Sequence, residues 1–204
     1  TAQMAYRQAG GRGPLCDAVG RTTLPQLAAV LAQCRLLLTN DTGPMHLAVG
    51  VGTPVIDLSV GHVDFRETGP YGPGHWIVQP DMGCAPCGFD QVCLHHACKD
   101  RLVPDQIAAL CLHVLNGGAF PEKLTGIKIY RSRLDEDGLG STELHAGRED
   151  PTVSWYGRFW RRFWFEQFTG RPSLVPMVSE PPPDWKESMA LLDRLMPLAA
   201  RLVS

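Results

Sequence analysis

Asp41, Thr42, Gly43, Pro44 and His46 fall within one six-residue stretch, and each type bears on the binding of an anion. A hydroxyl at Thr42 and the backbone N–H groups that follow Gly43 suit phosphate oxygens. A helix that starts here presents unpaired donors and the positive end of its dipole. His46 lies about one turn further on and reaches the same ligand. The same residues also describe an ordinary capped helix with a half-buried histidine, and residue types alone leave both readings standing.

For this chemistry the stretch must join a strand to a helix. Leu36 to Leu38 form a short apolar run of the kind a parallel sheet buries on both faces. Asp41 and Thr42 are read as caps, Gly43 as a position of unusual backbone angle, and Pro44 as a first-turn proline. Upstream, Thr23 is a candidate N-cap for a helix whose Leu24, Leu27, Ala28 and Leu31 share one face. Downstream, the helix ends near Gly50 and Val55 to Leu58 form a second short strand. This alternation is that of an α/β chain, a Rossmann-like parallel sheet with flanking helices. Residues 59 to 80 read as loop with one more strand near Ile77 to Gln79. A helix runs from Val103 to about Leu115, and Ile127 to Tyr130 resemble an edge strand or a hairpin arm. Two units are expected: residues 1–130 with a Cys-rich loop at 84–98, and a helical C-terminal extension at 131–204.

Two further groups could carry function. Cys84, Cys87, Cys93 and Cys98 give the spacing C-x2-C-x5-C-x4-C, in which four thiolates could surround a structural zinc. Iron–sulfur ligation and unligated thiols stand as alternatives. Trp155 to Phe168 is an aromatic helix, with Trp155, Phe159 and Phe163 stacked beside Tyr156, Trp160 and Trp164. Arg158, Arg161 and Arg162 lie on the other side. Packing against the sheet or a missing half, contact with a membrane interface, and stacking on bases are its three readings. A proline-rich linker and a last amphipathic helix, Trp185 to Leu202, close the chain.

The 204 residues carry a net charge of −2, which lacks the broad basic face of a nucleic-acid binder. No apolar run is long enough to span a bilayer. Seven cysteines, four of them clustered, fit a reducing, cytoplasmic compartment better than a secreted disulfide framework. Neither a Walker loop nor a nucleophile elbow is present.

Taken in order, Gly20 to Leu27 (GRTTLPQL), Thr39 to Ala48 (TNDTGPMHLA), Gly52 to Val55 (GTPV) and Arg66 to Gly72 (RETGPYG) resemble one family. They are similar to the C-terminal, donor-binding half of the family 9 glycosyltransferases, the lipopolysaccharide heptosyltransferases and their relatives. The resemblance covers roughly residues 18 to 115. It implies a GT-B fold with the donor in a cleft between two Rossmann-like halves, and an inverting transfer to a lipid-linked glycan acceptor. It further implies that Thr22, Thr23, Asp41, Thr42, Gly43, Pro44 and His46 line the site of a nucleotide-sugar donor, an ADP-sugar being favoured. Peripheral contact with the inner membrane would suit such an acceptor. No cofactor is required for transfer.

Two departures qualify the resemblance. The family's carboxylate base belongs to an N-terminal half that is not in these residues, and the first strand of the donor half also lacks a counterpart. The chain is therefore expected to begin inside a domain, to lack a catalytic residue of its own, and to be inactive alone. A non-catalytic interaction module, binding a nucleotide-sugar or a metal, and a GT-B-like sugar-nucleotide epimerase remain as rival readings.

Overall fold

A computed structural model describes residues 2–8, 10–88, 90–177, 180–187 and 189–190. Its centre is one five-stranded sheet in the order β1-β2-β3-β4-β5. β1 (Leu37–Asn40), β2 (Val55–Leu58) and β3 (Trp76–Pro80) run parallel, with Leu37 opposite Val55 and Ile56 opposite Trp76. β4 (Ile127–Leu134) then lies antiparallel to β3, and β5 (Gly140–Ala146) returns along β4 as a hairpin. The expected Rossmann-like α/β sheet is present, but it is mixed rather than parallel throughout. The short polar turn between β4 and β5 permits direct antiparallel return, whereas parallel strands need a crossover.

The helices α1 (Ala2–Gln8), α2 (Leu24–Leu31), α3 (Gly43–Gly50), α4 (Phe65–Thr68), α5 (Ala97–Asp100), α6 (Pro104–Asn116) and α7 (Pro151–Thr169) complete the described elements. Alternation along β2 divides the core. Ile56 joins Trp76, Val78, Ile107, Leu110, Ile127 and Ile129 on the α6 side. Val55 joins Leu31, Met45 and Ala48 on the α2–α3 side. The buried Thr53 hydroxyl donates to the Leu31 carbonyl at 2.7 Å and ties the end of α2 to the approach to β2.

Several local expectations change. Leu38 is 44% exposed, in the strand that forms the sheet's edge. Leu24, at the start of α2, is 70% exposed, so the buried stripe of that helix reduces to Leu27, Ala28 and Leu31. The tract after Tyr130 contains a strand that its polar composition hides, and β4 is the hairpin arm of the two alternatives, inside the sheet rather than at its edge. The sheet therefore runs through residue 130, which falls within β4. The expected terminal helix, Trp185 to Leu202, lies mostly outside the described residues.

Ile129 is fully buried among large side chains, so Ile129→Ala should cost about 2–5 kcal/mol of stability. Val30→Ala, at a position 49% exposed, should change it by less than about 0.5 kcal/mol. Urea denaturation of the two variants beside the parent chain measures both.

Candidate functional site

The turn from β1 into α3 places Asp41 to His46 at the carboxyl end of a parallel strand, where open α/β sheets hold ligands. Met45 and Ala48 are fully buried against the sheet and hold the helix in place. Thr42 occupies the N-cap position but makes no side-chain cap. Its hydroxyl donates to the Asn40 carbonyl at 3.1 Å and lies 3.5 Å from the Thr39 hydroxyl. No side-chain cap thus competes with an incoming anion for the Gly43 N–H; Pro44 has none, and the Met45 N–H donates to the Thr42 carbonyl at 2.9 Å.

Gly43 is not at a positive φ; its expected unusual angle is absent. A Cβ built there would meet nothing within 4 Å, so the glycine keeps the approach to the helix end open. Asp41 does not cap the helix either. Its Oδ2 accepts from the Thr68 hydroxyl of α4 at 2.5 Å, and its Oδ1 lies 4.0 Å from His46 Nε2. The carboxylate is only 7% exposed while the imidazole is 53% exposed, so Asp41 is a fixed post and His46 reaches outward beside it.

Thr23 is committed locally. Its backbone N–H donates to Gln26 Oε1 at 2.9 Å, and its hydroxyl accepts from Gln26 N at 3.5 Å, which closes a capping box on α2. Thr22 is half-buried in the turn ahead of it. No hydrogen bond or ion pair joins either threonine to the Asp41–His46 turn among the described residues. The structure therefore brings Asp41, Thr42, Gly43, Pro44 and His46 together as one site.

A residue that motif reasoning missed stands behind them. Asp57, opposite Thr39 in the sheet, is fully buried, and neither carboxyl oxygen has a partner among the described residues. Alternation puts it on the same face of β2 as Val55, the α3 side. Burial, with a smaller contribution from the Asp41 charge, pushes its pKa up from 3.8 to about 7. The signal in the sequence was an acidic residue inside the otherwise apolar strand Val55-Ile56-Asp57-Leu58.

The four clustered cysteines are free thiols: Cys84 exposed, Cys87 and Cys93 half-buried, Cys98 buried. Burial and the neighbouring Cys84, Cys93 and Cys98 push the Cys87 thiol up. Among the described residues no three His, Cys, Asp or Glu side chains are arranged to hold a metal ion.

The comparisons with known proteins fall on this same region. Residues 2–97 match the family described as glycosyltransferase family 9 (heptosyltransferase). This stretch is heptosyltransferase-like. It is 32% identical over 96 residues to lipooligosaccharide heptosyltransferase 2 of Campylobacter jejuni subsp. jejuni serotype O:2, covering 46% of this chain and 28% of that protein. The counterpart from serotype O:6 of the same subspecies is 31% identical over 96 residues, covering 46% of this chain and 29% of that protein. A 52-residue stretch is 46% identical to lipopolysaccharide core heptosyltransferase OpsX of Haemophilus influenzae, covering 26% of this chain and 15% of that protein. The chain spans less than a third of the length of these curated relatives. No solved structure matches. The heptosyltransferase-like region holds α1 to α4 and β1 to β3, and with them the whole Asp41–His46 turn, whereas α6, the β4–β5 hairpin and α7 lie beyond it.

Asp57 should make stability depend on pH. Its folded pKa is raised, so the native state holds a proton that the unfolded chain releases near pH 3.8. That contribution is complete below pH 3.8 and is lost as pH rises to about 7. At about 1.4 kcal/mol per unit, the loss is roughly 4 kcal/mol. Asp57→Asn, a neutral isostere of the protonated form, should match the parent near pH 4 and exceed it at pH 8. Urea midpoints across this range check the sign.

Proposed function

We propose that the turn from Asp41 to His46 holds the diphosphate of a nucleotide-sugar, an ADP-sugar preferred, and that the chain is the donor-binding part of an inverting glycosyltransferase. Heptose is the favoured sugar, and a lipopolysaccharide-type, lipid-linked glycan is the acceptor. The observation that carries this reading is the uncapped N-terminus of α3 at the carboxyl end of β1, with His46 beside it, inside the heptosyltransferase-like stretch.

In this reading an acceptor hydroxyl attacks the anomeric carbon from the face opposite the diphosphate. The carbon–oxygen bond to the diphosphate breaks, and its electron pair passes to the leaving oxygen. The Gly43 N–H and the positive end of the α3 dipole stabilise that growing charge, joined by the Thr42 hydroxyl once it turns from the Asn40 carbonyl to the phosphate. His46 bonds a phosphate oxygen, and Asp41 orients the imidazole and accepts a hydroxyl of the sugar. The proton of the acceptor hydroxyl goes to a carboxylate that the resemblance assigns to the other half of the architecture. The chain by itself is accordingly proposed to bind donor without transferring it. No step runs through the four cysteines.

Peripheral membrane contact is proposed through α7. Trp164 is 42% exposed and Phe168 81% exposed, and their rings stack at 5.6 Å, which leaves an aromatic edge facing outward. Among the described residues no helix is long and apolar enough to cross a membrane.

Calorimetry of this chain with ADP- and UDP-sugars tests the donor site. The ADP-sugar should bind, and His46→Ala should weaken it about tenfold, the loss of one charge-assisted hydrogen bond. Gly43→Leu should leave the unfolding midpoint nearly unchanged, since open space surrounds that position, yet block binding. Binding of neither nucleotide would overturn the donor reading in favour of an interaction module, and hydrolysis of the sugar nucleotide without transfer by a full-length protein would favour an epimerase. For the membrane contact, replacing Trp164 and Phe168 by Ser should release the chain from co-sedimenting anionic vesicles; unchanged recovery counts against it.

A further inference from the structure

The hairpin β4–β5 and helix α7 fold against the Arg66–Gly72 segment and enclose a cavity of about 480 Å³ with it. A second cavity, of about 400 Å³, shares Arg133, Asp135, Arg158 and Val175 with the first. Two of the guanidinium groups here already have partners. Arg66 donates to Glu149 Oε1 at 3.0 Å and sits over the Phe65 ring, while Arg161 pairs with Asp135 and donates to the Gly140 carbonyl at 2.6 Å.

Arg133 and Arg158 are different. Among the described residues the Arg133 guanidinium has no hydrogen-bond or ion-pair partner, and Arg158 has one long contact, 3.5 Å to the Pro176 carbonyl. Both groups line both cavities. Asp135 and Glu136 also line the second cavity, and Asp135 and Glu149 the first; Asp135 and Glu149 are paired with Arg161 and Arg66, which leaves the donors of Arg133 and Arg158 for a phosphate. The rest of the first cavity is not simply basic. Ser141 and Thr142 supply hydroxyls, and Glu67 supplies an acceptor for hydroxyl donors. Tyr71, 62% exposed, lays its ring against Gly140, where a Cβ would come within 3.0 Å of Cε2. An exposed ring beside hydroxyls and a carboxylate suits a pyranose, with an apolar face and a polar rim.

We propose that this cleft binds a phosphorylated saccharide, its phosphate on Arg133 and Arg158, its ring on Tyr71 and its hydroxyls on Ser141 and Thr142. The site is built from residues beyond the heptosyltransferase-like stretch closing on one segment within it. It stands without the donor reading. Geometrically the two regions are neighbours, because Thr68, one residue before Gly69 of the cleft, holds Asp41 of the α3 turn.

Calorimetry with glucose 6-phosphate, glucose and inorganic phosphate tests the cleft. The sugar phosphate should bind at least tenfold more tightly than either of its parts. Arg133→Gln and Arg158→Gln should each weaken it about tenfold. Gly140→Ala, which displaces the Tyr71 ring, should weaken the sugar phosphate more than inorganic phosphate. All three variants should keep the parent's unfolding midpoint to within a few degrees and its affinity for ADP-sugar, which separates this cleft from the α3 turn. No binding of glucose 6-phosphate, or unchanged binding in both arginine variants, overturns the proposal. Equal affinity for inorganic phosphate and the sugar phosphate overturns saccharide recognition, and competition between glucose 6-phosphate and ADP-sugar for one site overturns a separate cleft.

Discussion

The structure depends on how α3 is seated. Met45 and Ala48 are buried without residue against Val55 and Leu31, so one short helix is pressed onto the edge of the parallel sheet with its first turn at the strand ends. An eight-residue helix would not persist in water alone; tertiary burial holds it. That seating leaves the Gly43 N–H without a side-chain cap, beside a threonine whose hydroxyl has turned away to Asn40; Pro44 has no N–H, and that of Met45 donates to the Thr42 carbonyl. A helix end left without its usual cap is stable here because the apolar face, not the cap, fixes the helix.

Behind the turn the sheet holds two carboxylates in close electrostatic reach, with opposite surroundings. Asp41 has a hydroxyl donor from Thr68 and an imidazole nearby, whereas Asp57 has no partner among the described residues. Burial, and then the Asp41 charge, raise the pKa of Asp57 to about 7.

The aromatic side of α7 is unevenly covered. Trp155 is buried, and Tyr156, Phe159, Trp160 and Phe163 are half-buried. In the structure Arg158 and Arg161 turn toward the hairpin, where Arg161 meets Asp135 and the Gly140 carbonyl, while Trp164 and Phe168 remain exposed. Trp155 and Phe165 alone of these rings are buried. Arg161 ties α7 to the hairpin, since a guanidinium satisfies a backbone carbonyl that an aromatic ring cannot.

The sequence by itself determined the strand–turn–helix at Asp41 to His46, the alternation of the first three strands with helices, and a family likeness read over roughly residues 18 to 115, where the family match spans 2–97. These features rest on local pattern: apolar period, caps, prolines and ordered short motifs. What only the tertiary structure decided depends on groups distant in the chain. Residue types could not show that Thr42 leaves the helix end uncapped, because hydroxyl direction follows from neighbouring carbonyls. They could not show that β5 exists, because half-exposed strands at the sheet's far edge carry polar residues and lack an apolar run. Nor could they show that Asp57 is buried or that Arg133 and Arg158 line one cleft. Burial and convergence are properties of packing, and packing joins residues that the chain keeps far apart.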